Sequence, residues 1–150
     1  MLIPVFIFKV AVKNDRGVWV KVAIRADYSL ESLHPVISEE FMYPECDGYA
    51  FRFFPEGRSG TARKWLAKYY TRQEWMDQFN FAHDSPGDVN AVTIGDLQLK
   101  ARNRFEYLTG FGKVLNWREH LITVEQDNLG DDFLQYPAVL DKKGIPKPLE

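Results

Sequence analysis

Apolar and polar residues alternate from the start of the chain. Phe6, Phe8, Val10 and Val12 interleave with Ile7, Lys9, Ala11 and Lys13, the period-two pattern of a half-buried strand. Asn14, Asp15, Arg16 and Gly17 follow as turn residues, with Gly17 suited to the left-handed position of a hairpin loop. A second run then sets Val18, Val20, Val22 and Ile24 against Trp19, Lys21, Ala23 and Arg25. The pattern predicts an antiparallel hairpin of strands at about residues 5–13 and 18–26, with the valine face buried.

At Ser29 the period changes. Leu30, Leu33, Val36, Ile37 and Phe41 form a stripe at helical spacing. Pro35 kinks that helix if Ser29 is its cap, and lies harmlessly in the first turn if Ser32 is. The expectation is a bent or two-part helix ending before Pro44. Tyr49 to Phe54 alternates as a third strand. Thr61 to Phe79 reads as the most helical stretch, with Trp65, Leu66, Tyr69, Trp75, Met76 and Phe79 toward the core. Thr71 and Glu74 have capping-box spacing, which would divide it into two short helices. Thr93 and Asp96 mark a single helical turn before Leu97 and Leu99.

Phe105 to Glu125 is the stretch on which the rest is organised. Phe105 and Tyr107 share one strand face, Glu106 and Leu108 the other. Beyond a break, His120, Ile122 and Val124 alternate with Leu121, Thr123 and Glu125. Gly110 and Gly112 mark the turn, so a β-hairpin with a long tip at residues 110–116 is predicted. The tail, with Pro137, Pro146 and Pro148, reads as largely irregular. The order strand, strand, helix, strand at the start resembles a β-grasp unit, extended by later strands into a mixed, mostly antiparallel α+β sheet with a helical insertion.

Composition narrows the class. With 150 residues the chain is expected to be a single domain, residues 1–150, burying roughly 70% of its unfolded surface. Nineteen basic against 21 acidic residues argue against nucleic-acid binding by bulk charge, while leaving room for a local basic patch. Cys46 is the sole cysteine, so no internal disulfide forms and a reducing, cytoplasmic setting is expected. The opening MLIPVFIF lacks a basic leader and meets Lys9 too soon for a membrane span.

Two blocks of residues resemble a known family. The first is Trp19, Lys21, Val22 and Ile24, then Leu30, Leu33, His34, Val36, Ile37 and Phe41, then Tyr49 and Phe51. The second is Phe105, Tyr107, Phe111, Gly112, Trp117, His120, Ile122 and Glu125, followed by Tyr136 and Pro137. Together they are similar to the plasmid Ri open-reading-frame-three-like family, also labelled insertion-element passenger proteins of resolvase type. The resemblance implies the fold and a mobile-element or phage-type accessory setting; it brings no agreed biochemical activity. Thr61 to Phe79 falls outside the matching blocks, as a variable insertion. The family's acidic residues on each side of its Phe-Gly pair are replaced here by Gly110 and Lys113, and Gly48 stands where a histidine commonly opens the third strand.

Candidate chemistry is sparse. His34, His83 and His120 share no ligand spacing, so no metal and no cofactor are expected, and His34 and His120 are expected to be partly buried and satisfied by backbone groups. His83-Asp84 sits in a proline-glycine loop without the further ligands of a metal phosphohydrolase. Cys46 has two acidic neighbours that oppose a thiolate. The expected function is therefore a non-enzymatic interaction module for a protein or peptide partner, of unspecified oligomeric state. Its candidate binding residues are Tyr43, Phe111, Lys113, Trp117 and His120, at the hairpin tip and the neighbouring loop. One alternative is nucleic-acid binding in transposition through a helix carrying Arg63, Lys64, Lys68 and Arg72. The other is a metal-dependent hydrolase using His34, His120 and Glu125.

Overall fold

The alternating runs become strands of one sheet. The computed structural model describes residues 3–43, 48–54, 57, 68–72, 87–109, 118–130 and 135–144. In chain order these form β1 (Val5–Val12), β2 (Asp15–Arg25), a 3₁₀ turn at Leu30–Ser32, α1 (Leu33–Glu40), β3 (Tyr49–Phe53), β4 (Lys68–Thr71) and β5 (Gly87–Asp88). A second 3₁₀ turn at Gly95–Leu97, β6 (Arg104–Thr109), β7 (Arg118–Leu129) and β8 (Ala138–Lys143) complete them. The eight strands lie in the order β5-β4-β3-β6-β7-β1-β2-β8. Every neighbouring pair is antiparallel except β4 with β5.

The first hairpin has the predicted register: Phe8 faces Val22 and Val10 faces Val20. Val20 and Val22 are buried, while Trp19 and Lys21 are half-exposed. The turn falls earlier than expected, at Lys13-Asn14, and Gly17 lies inside β2 without a left-handed backbone. Ala11 pairs with Trp19 but Val12 with Asp15, so the residues between 15 and 19 are accommodated as a bulge rather than a loop.

The helix is in two parts, as Pro35 requires. Ser29 precedes the 3₁₀ turn and Ser32 precedes α1; Pro35 then occupies the first turn of α1, where a missing N–H costs nothing. Leu30, Leu33, Ile37 and Phe41 join Phe8, Val10, Val22, Phe51, Phe105 and Ile122 in one core on a single face of the sheet. Each such side chain contributes on the order of 1.5–3 kcal/mol by leaving water. At the start, the order strand, strand, helix, strand is present, but β6 and β7 separate β3 from β1. The fold is mixed α+β, with one short helix among the described residues and an open, mostly antiparallel sheet. None of the described helices is long and apolar enough to cross a membrane.

Two expectations are corrected. Lys68–Thr71 is a strand, not part of a helix: the run KYYT pairs with β3, Phe51 opposite Tyr70 and Arg52 opposite Tyr69. Tyrosines and a β-branched threonine favour that pleated surface. The tail is not wholly irregular either, because β8 pairs along β2. It is an edge strand with almost every residue exposed, so no hydrophobic alternation announces it.

The turn before Leu97 forms as its residues predict. Asp96 Oδ2 accepts from the Thr93 N–H at 2.9 Å, and Thr93 Oγ1 accepts from the Asp96 N–H at 3.1 Å. Asp96→Ala should cost about 1 kcal/mol, the usual worth of a lost cap, measured by urea denaturation. An unchanged midpoint would mean the reciprocal cap contributes nothing.

Candidate functional site

The end of α1 fixes the site. The Tyr43 N–H donates to the Ser38 carbonyl at 2.8 Å and the Met42 N–H to that of Glu39 at 3.2 Å, the paired bonds of a Schellman motif. That motif places Met42 in the left-handed region, at φ 57°, a position glycine normally fills. Tyr43 is thereby turned inward and Met42 outward, with 60% of its surface exposed.

Beneath this corner, two histidines and three tyrosines are packed together. His120, on β7, donates from Nδ1 to the Tyr107 carbonyl at 3.2 Å. A carbonyl can only accept, so the proton is on Nδ1 and Nε2 must accept; its donor is the Tyr43 hydroxyl. The Tyr43 oxygen is in turn hydrogen-bonded by Arg118, whose guanidinium lies 5.9 Å from the ring centre. His34, in the first turn of α1, stacks on Tyr49 with ring centres 3.7 Å apart. Its Nδ1 is hydrogen-bonded to the Tyr107 hydroxyl at 2.7 Å, a length that suits donation by either group.

Burial keeps the group uncharged. It pushes His34 down to about 4, helped by the Arg72 charge, and His120 also to about 4, against the favourable bond to the Tyr107 carbonyl and with help from Arg118. Desolvation raises Tyr43 to about 12 and Tyr107 well above the ordinary range. Both imidazoles are neutral at pH 7.

Above the cluster opens a cavity of about 580 Å³ lined by His34, Pro35, Ser38, Glu39, Met42, Tyr43 and Arg72. Arg72 follows β4, pairs with Glu31 at 3.0 Å and lies 5.5 Å from the Tyr49 ring centre. Among the described residues the wall is thus mixed: one cation, one carboxylate, a neutral imidazole, and the apolar Pro35 and Met42.

The structure brings Tyr43 and His120 into direct contact. Phe111, Lys113 and Trp117 lie outside the described residues, as do Arg63, Lys64, His83, Asp84 and Cys46. Lys68 and Arg72 share a strand face with Tyr70 rather than a helix face; Lys68 sits 6.0 Å from the Tyr70 ring centre. His120 meets a backbone carbonyl and the Tyr43 hydroxyl; the His34 ring, expected to be satisfied by backbone groups, instead meets the Tyr107 hydroxyl. Glu125 does not join them, because strand parity turns it to the opposite face, where it pairs with Lys21 at 3.0 Å. Among the described residues no three histidines, cysteines or carboxylates converge as metal ligands.

The opposite face holds a charged network that sequence reading missed. Arg52 and Glu106, neighbours across β3 and β6, are both buried and hydrogen-bonded. Glu119 accepts from Arg52 at 2.7 Å, and Lys13 reaches Glu106 at 2.9 Å. Burial would lower the Arg52 pKa, but its bonds to Tyr69, Glu106 and Glu119 outweigh that and raise it. The available signal was a charge at matching outward positions of several strands.

Fold and site together define an α+β protein with one open sheet, a helix on one face, and a pocket beside that helix lined by the neutral His34, with His120 buried behind Tyr43. The chain belongs to the plasmid pRiA4b ORF-3-like family, whose model matches residues 4–148. Among solved structures it is similar to the crystal structure of a protein of unknown function from Methanosarcina mazei Go1, with a TM-score of 0.71 and 14% identity over 99% of this chain and 74% of that one. That likeness shows the fold. No curated protein matches.

Proposed function

We propose that the protein is a non-enzymatic binding module, an accessory protein of a mobile element or phage, that takes a peptide segment of a protein partner into the pocket at the end of α1. The observation carrying this reading is Met42: a large apolar side chain, mostly exposed, held on the pocket rim at φ 57°. A non-glycine residue there costs on the order of 1–2 kcal/mol, and such strain concentrates at ligand-contacting positions. Methionine suits adaptable apolar contact with a peptide.

The reading separates binding from stability. Met42→Gly should raise stability by about 1 kcal/mol, because glycine adopts this backbone without strain, and should weaken peptide binding. Selection of a random peptide phage library on the purified protein supplies the ligands. Enriched peptides should lose affinity for Met42→Gly and keep it for Lys100→Ala, an exposed residue in a separate groove. Enriched peptides indifferent to Met42, or no enrichment, would count against the pocket.

A second reading, nucleic-acid binding, is supported by a different groove of about 530 Å³, where Lys68, Lys100 and Arg104 stand beside Phe53 and Tyr70. Three phosphate contacts to a single strand predict a log K against log salt slope of about −2. Anisotropy with a labelled single-stranded oligonucleotide checks this; no binding at low salt, or binding unaltered by Arg104→Glu, would remove it.

A further inference from the structure

His34 offers the pocket a polar group that the described residues leave unused. The residue is buried, 5% exposed, yet it lines the cavity. Its ring is held by stacking on Tyr49 and by the Tyr107 hydroxyl at Nδ1. The two ring nitrogens point in nearly opposite directions, so with Nδ1 tied into the core, Nε2 is directed away from it, toward the cavity. Among the described residues nothing partners Nε2. A buried polar nitrogen left without a partner carries a desolvation cost that a ligand atom can relieve.

The charges around the pocket select the kind of acceptor. Arg72 is the lining cation, but its charge is matched by Glu31 at 3.0 Å. Among the described residues Glu39, exposed on the rim, is then left as the unbalanced charge of the wall. A ligand carboxylate would approach both glutamates, whereas an uncharged carbonyl oxygen would not. We infer that Tyr107 donates to His34 Nδ1, that the His34 Nε2–H so defined is the pocket's anchor for a peptide carbonyl, and that the bound segment carries a basic residue toward Glu39 and no acidic one. This rests on the peptide-pocket reading above and names the ligand that the pocket takes.

The test uses two pools of terminally capped synthetic hexapeptides, one containing lysine and one containing glutamate among otherwise uncharged residues. Binding to the full chain is followed by NMR at the His34 ring nitrogens and the Met42 methyl group. The lysine pool should shift both signals and bind about fivefold more tightly than the glutamate pool at low salt, a ratio that shrinks as salt screens Glu39. His34→Gln retains an N–H donor and should keep most of the binding. His34→Leu should lose about fivefold, the scale of one hydrogen bond. If the leucine variant fails to fold, the wild-type shifts still decide the matter. Tighter binding by the glutamate pool, or peptides that shift Met42 without touching His34, would overturn the inference while sparing the pocket. If neither pool shifts Met42 or His34, both the anchor and the pocket reading fall.

Discussion

Glu106→Ala is expected to lower folding stability by about 3–5 kcal/mol, because it strands a buried guanidinium. Arg52 and Glu106 are 3% and 1% exposed at their side chains, and Glu106 also takes the Lys13 ammonium at 2.9 Å. Glu119 remains for Arg52, at 2.7 Å, but it is nearer solvent and cannot replace the lost bonds at Nε. Replacing both partners, as Arg52→Leu with Glu106→Leu, should recover much of the loss, since an apolar pair leaves no uncompensated charge. Urea denaturation of the two variants measures both effects. A single-variant cost below about 1 kcal/mol, the scale of an exposed pair, would show that the network is solvated.

Acid should destabilise the protein well before most carboxylates protonate. Histidine in the unfolded chain titrates near 6.5, whereas burial holds His34 and His120 at about 4 in the fold. Below pH 6.5 the unfolded state therefore binds more protons than the folded one, and stability falls as pH falls. The stability is fully present above 6.5 and is lost progressively down to about 4, where the folded histidines also protonate. Each histidine loses about 1.4 kcal/mol per pH unit in that window, so the pair should cost on the order of 4 kcal/mol between pH 7 and pH 5. Denaturation midpoints at the two pH values check the sign and the size. A flat profile would mean that these histidines are hydrated in the native state.

Much of the sheet is legible from period alone. Phe105 and Tyr107 against Glu106 and Leu108, and His120, Ile122 and Val124 against their neighbours, divide between the faces as their alternation predicts. The two-part helix follows from where Pro35 can be tolerated. What alternation cannot reveal is β8, whose exposed residues have no inner face to mark. Nor does it reveal β4, where KYYT sits inside a stretch otherwise spaced like a helix. The site is less legible still. His34 and Tyr107 are 73 residues apart and Tyr43 and His120 are 77 apart; only strand order and the turn after α1 bring them together. Met42 gives no sequence signal, because methionine is not a residue that announces a left-handed backbone.

The central claim is that a neutral His34 in the pocket wall and a neutral His120 buried behind Tyr43 hold the site together, and ¹⁵N-resolved NMR titration of the histidine rings from pH 8 to pH 4.5 tests it most directly. The account predicts that His34 and His120 stay neutral through pH 5.5, with the proton of His34 on Nε2 and that of His120 on Nδ1. A midpoint near 6.5 for either ring, or the opposite tautomer at either position, would contradict it.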